Sequence, residues 1–149
     1  MKIENIVARE ILDSNGNPTI ETEIELLDGT KGVASVPSGA STGKTEVLEL
    51  RDGDKTRYNG KGVLKAVEIV NKTIASLFKD KTISSQEELD KILINADGTD
   101  LKVKLGGNSI LSCSMAYARA MATSFGLELF DYLATVSYTH LRAHETVLD

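Results

Sequence analysis

From Pro18 to Leu26 apolar and polar residues alternate strictly, with Ile20, Thr22, Ile24 and Leu26 on one side and Glu21, Glu23 and Glu25 on the other. A period of two is the signature of a strand with one buried face. Residues 2–13, rich in Ile, Val and Leu, predict a strand before it, and the VASV run at 33–36 predicts one after it. DSNGNP joins the first pair and LLDGTKG the second, and their Asn15-Gly16 and Asp28-Gly29 steps are tight-turn signals. Three strands with such short connections predict an antiparallel meander.

After YNGKG the period changes. Val63, Val67, Val70, Ile74 and Leu77 recur at spacings of three and four, which predicts a helix with one apolar stripe. A second helix follows in TISSQEELDKILINADG, opened by a capping box of Ser84 with Glu87 or Ser85 with Glu88. Leu89, Ile92 and Leu93 form its stripe, and Gly98 follows its end. A third is predicted from Asn108 to Phe125, stopped by Gly126. Its Ser112, Ser114, Ala116, Ala118, Ala120 and Ala122 are small enough to let neighbouring backbones come close. Strands in one block and helices in the next predict an α+β fold, with the helices on one side of the sheet.

A length of 149 residues suits one domain but is short for an enzyme that must enclose a substrate. The net charge of −5 argues against nucleic acid as a partner. Neither a signal peptide nor an apolar run of membrane-spanning length is present in the sequence, so a cytoplasmic location without a membrane partner is expected. Cys113 is the one cysteine, which excludes an internal disulfide and reads as a buried structural thiol. No histidine precedes His140, so Ser–His and Cys–His catalysis are excluded from the first 139 residues.

The candidate chemistry lies in Ser38, Gly39, Ala40, Ser41, Thr42, Gly43, Lys44 and Thr45. The run is close to a phosphate-binding loop, G-x-x-x-x-G-K-[ST], but Ser38 stands where the first glycine belongs. A phosphate-binding loop also needs a parallel strand before it and a helix directly after. Here an antiparallel meander precedes it, and Glu46, Glu49, Asp52 and Asp54 follow, where a triphosphate would lie. The composition supports instead a polar loop with glycine pivots, whose hydroxyl and carbonyl oxygens suit Mg²⁺.

Four ordered stretches, DSNGNPT at 13–19, VPSGASTG at 36–43, ELRDGDKTRYNGKGV at 49–63 and KLGGNSILSCSMAYARA at 104–120, resemble the amino-terminal domain of the enolase family. The resemblance covers about residues 1–133. It implies a meander followed by a helical bundle, ahead of a (β/α)-barrel domain that is missing here. It implies a lyase that interconverts 2-phosphoglycerate and phosphoenolpyruvate in glycolysis with Mg²⁺ as cofactor. The barrel would supply the Lys base, the Glu acid and the carboxylate ligands, so this chain alone is expected to be inactive. By the same resemblance residues 38–43 form a lid over the substrate, and Ser41 ligates the second Mg²⁺. Arg9 and Glu21 match positions that contact the partner subunit in a homodimer.

The chain departs from the family pattern in several places. Asn15 and Thr45 replace the usual Arg and His, and Gly107, Ser109, Ser112 and Cys113 replace the commoner Ala, Ala, Gly and Val. Two alternatives follow: a non-catalytic enolase-like interaction module and, from the near match to a phosphate-binding loop, a nucleotidase. Residues 134–149 leave the pattern. VSYTHLRAHETVLD resembles a translated sequencing-adapter tail and is expected to be non-native, and His140 and His144 lack the glutamate of a zinc motif.

Overall fold

The computed structural model describes residues 1–37 and 46–136. Its sheet is the predicted meander, β1 (Ile3–Leu12), β2 (Pro18–Leu26) and β3 (Lys31–Ser35), in the order β1-β2-β3 with both pairings antiparallel. The register places Ile6 opposite Ile24 and Ala8 opposite Thr22, with Gly32 and Ala34 facing Ile24 and Thr22 from the other side. These residues make the single buried face. The outer face carries cross-strand polar sets, among them Arg9, Glu21 and Ser35. Both predicted turns form, with Gly16 and Gly29 at φ of 77° and 85°, where a side chain would be strained.

Between sheet and helices the segment RDGDKTRYNGKG folds as a compact knot. Asp52 accepts hydrogen bonds from the N–H groups of Leu64 and Lys65, capping the next helix from a distance in sequence. Arg57 reaches Glu10 at 2.6 Å, and Glu10 accepts the Val63 N–H. The tie between β1 and the helix start is therefore made by side chains.

Helix α1 (Leu64–Glu68), a π-helical stretch (Ile69–Ile74) and α2 (Ala75–Phe78) follow without a break. The buried residues are Val63, Ala66, Val70, Ile74 and Phe78, while Val67 and Leu77 are only partly buried. Three successive steps of four overshoot an α turn of 3.6 residues by about 40° each. The wider π turns absorb that drift and bring Phe78, in place of Leu77, onto the sheet.

The other helices follow their local signals closely. Helix α3 (Gln86–Asp97) is N-capped by Ser85, whose hydroxyl accepts the Glu88 N–H, and Glu88 reaches back to Ser84. Both candidate serines are thus used. Gly98 ends α3 in the left-handed conformation at φ 71°. Helix α4 (Gly107–Ser124) lies across β2 and β3, and its Ala116, Ala120, Cys113 and Tyr117 are buried there. Helix α5 (Leu129–Val136) was not expected from the sequence; it packs on α4 through Tyr132. No helix among the described residues is long and apolar enough to cross a membrane.

Asp97 organises the turn between α3 and α4. Its buried carboxylate accepts from the N–H groups of Thr99, Lys104 and Leu105 and from the Thr99 hydroxyl. Burial alone would raise its pKa, but these donors hold it below the ordinary value of 3.8. The native carboxyl therefore contributes stability that is full above the unfolded pKa and is lost as pH falls from about 3.8 through the lower native value. Asp97→Ala should cost about 3 kcal/mol near neutrality, because buried N–H groups lose their acceptor. Thermal melts of both chains should show that gap narrowing as pH drops below about 3.8.

Candidate functional site

The loop singled out in the sequence, Ser38 to Thr45 with Ser41 as metal ligand, lies outside the described residues. What the structure shows is how the chain enters and leaves it. On the entering side, Val36 donates its N–H to the Ile20 carbonyl at 3.1 Å and accepts from the Thr19 hydroxyl. Val36 is thereby fixed on β2, beyond the last residue of β3.

On the leaving side residues 47–50 belong to no helix or strand. Leu48 donates to the Leu101 carbonyl at 2.8 Å and accepts from the Gly107 N–H at 2.7 Å. Asn108 then holds Leu50 from both sides, accepting its N–H at 3.0 Å and donating to its carbonyl at 3.1 Å. A side-chain amide here does the work of a strand neighbour. The fit depends on glycine: a Cβ on Gly107 would come within 2.5 Å of Val47 Cγ2, and one on Gly106 within 2.7 Å of Leu50 Cβ. An alanine at 107 would force Val47 to move. Arg51 adds a further tie, bonding the carbonyls of Pro18 and Lys61 and pairing with Glu49 at 3.1 Å.

This arrangement differs from a phosphate-binding loop at two points. The strand before it belongs to an antiparallel sheet, and residues 47–50 lead into turns, with α1 starting only at Leu64. No helix N-terminus is placed directly after the loop to face a phosphate.

Beside the two anchors runs a groove of about 900 Å³, bounded by Val36 and Pro37, residues 46–49, α3 and the start of α4. Its apolar walls include Val47, Leu48, Ile94, Leu101, Val103 and Leu111, each between 42% and 49% exposed. Six large apolar side chains half in water along one concavity form a patch of the kind that another polypeptide covers. Asp90 and Ser114 close one end and are bonded to each other at 2.6 Å, with Gln86 linking them to the Tyr132 hydroxyl.

No group of three or more His, Cys, Asp or Glu side chains able to hold a metal ion occurs among the described residues. Cys113 is fully buried, and burial pushes its thiol up to about 12 against hydrogen bonds to Ser112 and Thr22. It remains a thiol near neutrality and is no nucleophile. The hydroxyls at Ser109 and Ser112 are satisfied by the Ala66 carbonyl and by Thr22 and the Ser109 carbonyl, so these departures add polar ties between α4 and its neighbours.

Arg9 and Glu21 are brought together within this chain at 2.9 Å on the outer face of the sheet, with Glu21 also taking the Ser35 hydroxyl. Asn15 sits at the tip of the β1–β2 turn, where its N–H is held by Asp13. His140 and His144 lie outside the described residues.

The sequence matches the family profile of the enolase N-terminal domain over residues 3–133. Enolase 1 of Chlorobaculum tepidum is 59% identical over 133 residues, a stretch that covers 89% of this chain and 31% of that protein. The chain therefore spans about a third of the length of this curated relative.

Proposed function

The chain belongs to the enolase family through its N-terminal domain, and on that premise we propose that it is the capping domain of a Mg²⁺-dependent lyase interconverting 2-phosphoglycerate and phosphoenolpyruvate. The observation that carries this reading is the pair of anchors around residues 38–45. Val36 is fixed on β2 and residues 48–50 on the start of α4, and both of these anchored ends stand at an exposed apolar groove. In the full-length protein the barrel domain covers that groove, and residues 38–43 close over its substrate. Ser41 would contribute its hydroxyl and carbonyl oxygens to a Mg²⁺ whose other ligands would come from the barrel. When bound, that ion supplies charge stabilisation for a substrate carboxylate.

This chain's own contribution is positional. The groove walls exclude water from the domain junction, and the anchors limit where the loop can travel. Arg9 and Glu21 are prealigned on the outer face to meet a second subunit in a homodimer. Exposed pairs of this kind contribute little to stability, which suits a role in contact more than one in folding. A cytoplasmic location fits the glycolytic reaction.

The test is a fusion of residues 1–133 to the remaining two thirds of the Chlorobaculum tepidum relative. The 149-residue chain alone should not dehydrate 2-phosphoglycerate, while the fusion should. Turnover by the chain alone that follows it through purification would contradict the capping role. A folded but inactive fusion would favour the non-catalytic interaction module.

A further inference from the structure

The outer edge of β1 is met from within the chain at its start and at its middle, and at the middle by one side chain. β1 is ten residues long and pairs with β2 on one side only. An edge of that length presents N–H and C=O groups to any strand that approaches. At its start the edge is occupied by the Lys2–Thr82 bridge and by the Ile83 N–H, which donates to the Met1 carbonyl at 3.1 Å. Toward its end only the Glu10 side chain is engaged, its carboxylate accepting from the Val63 N–H and pairing with Arg57. Between them, Ala8 donates its N–H to Asn71 Oδ1 at 2.7 Å and accepts from Asn71 Nδ2 at 3.2 Å.

These are the two hydrogen bonds that a neighbouring strand would make at Ala8. Asn71 is exposed and lies inside the π-helical stretch Ile69–Ile74, next to the buried Val70. The wider turn that keeps Val70, Ile74 and Phe78 on the sheet thus also sets Asn71 against the strand edge. We propose that Asn71 is an edge guard, which keeps β1 from pairing with β1 of a second copy of the chain. The π turn then serves both packing and closure of the edge at Ala8.

Asn71→Ala tests this in the 149-residue chain. Alanine is the better helix former at an exposed position, so the helix is not weakened by the change itself. Hydrogen exchange in dilute solution should show the Ala8 amide exchanging roughly tenfold faster, the effect of losing one hydrogen bond. Sedimentation at rising concentration should show larger species than the parent chain forms at matched concentration. Adding Val7→Lys, which puts a charge on the outer face of the same strand, should reverse that association. Asn71→Asp keeps an acceptor for the Ala8 N–H but sets its second oxygen against the Ala8 carbonyl, so its exchange should fall between the parent and Asn71→Ala. Parent-like exchange at Ala8 in Asn71→Ala, parent-like sedimentation, or association that survives Val7→Lys would each overturn the proposal.

Discussion

Gly32→Val should unfold the chain, or lower its melting temperature by about 10 °C or more. β3 meets α4 nearly backbone to backbone at this point. A Cβ on Gly32 would lie 2.2 Å from the Ala116 carbonyl oxygen and 2.3 Å from the Ala120 nitrogen, and neither atom can rotate away. To admit a side chain, β3 must leave α4, and with it goes the packing of Ala34 against the helix. Overpacking a core usually costs about 1–3 kcal/mol. A clash with backbone on the central helix belongs in the tail above about 4 kcal/mol, a large share of a domain's total stability. Gly29→Ala is the control. Gly29 has nothing within 4 Å of its Cβ position, so only the strain of its φ of 85° is felt, about 1 kcal/mol. Circular-dichroism melts of the two variants should differ widely; equal melts would mean that β3 does not pack this closely on α4.

The meander was legible because a period of two leaves little choice. Once Ile20, Thr22, Ile24 and Leu26 face the core, the register with Ile6 and Ala34 follows. Helices α3 and α4 were legible at their ends, where Ser85, Glu88, Gly98 and Gly126 speak locally. The first helix was legible at Val63, Val70 and Ile74, which are buried, and less so at Val67 and Leu77, beside which Ala66 and Phe78 take the core, because a π turn leaves no mark that a stripe of threes and fours reveals. Helix α5 is eight residues long and buries one large side chain, Tyr132, so its pattern is too short to stand out.

The anchors of the candidate site were not readable at all. Asn108 and Leu50 are 58 residues apart, and Asn71 and Ala8 are 63 apart. Single polar side chains at such separations carry no periodicity. Asp97 and Asp52 are ordinary surface residues in the sequence, and only the folded turns gather N–H groups around them. The lid and its Mg²⁺ ligand rest on resemblance to enolases, since composition by itself supports only a polar glycine-hinged loop.

The second large effect falls on Ser41, in the fusion that carries the barrel. Under the proposed function Ser41→Ala removes the hydroxyl ligand and leaves the carbonyl, so binding of the ion should weaken without being abolished. The ligand acts where charge develops during dehydration, and its loss is felt in the transition state more than in substrate binding. The dehydration rate should fall by more than about tenfold at fixed Mg²⁺ and should recover in part as Mg²⁺ is raised. Lys44→Ala should change the rate far less, because in this reading its side chain touches neither ion nor phosphate. The nucleotidase reading reverses the order, with Lys44 as the phosphate contact. The most direct measurement is therefore the dehydration rate against Mg²⁺ for both variants of the fusion, with ATP affinity measured on the 149-residue chain. A Mg²⁺-dependent loss on Ser41→Ala, little change on Lys44→Ala and no ATP binding is the result this account predicts; ATP binding that vanishes with Lys44, alongside an unchanged rate for Ser41→Ala, would contradict it.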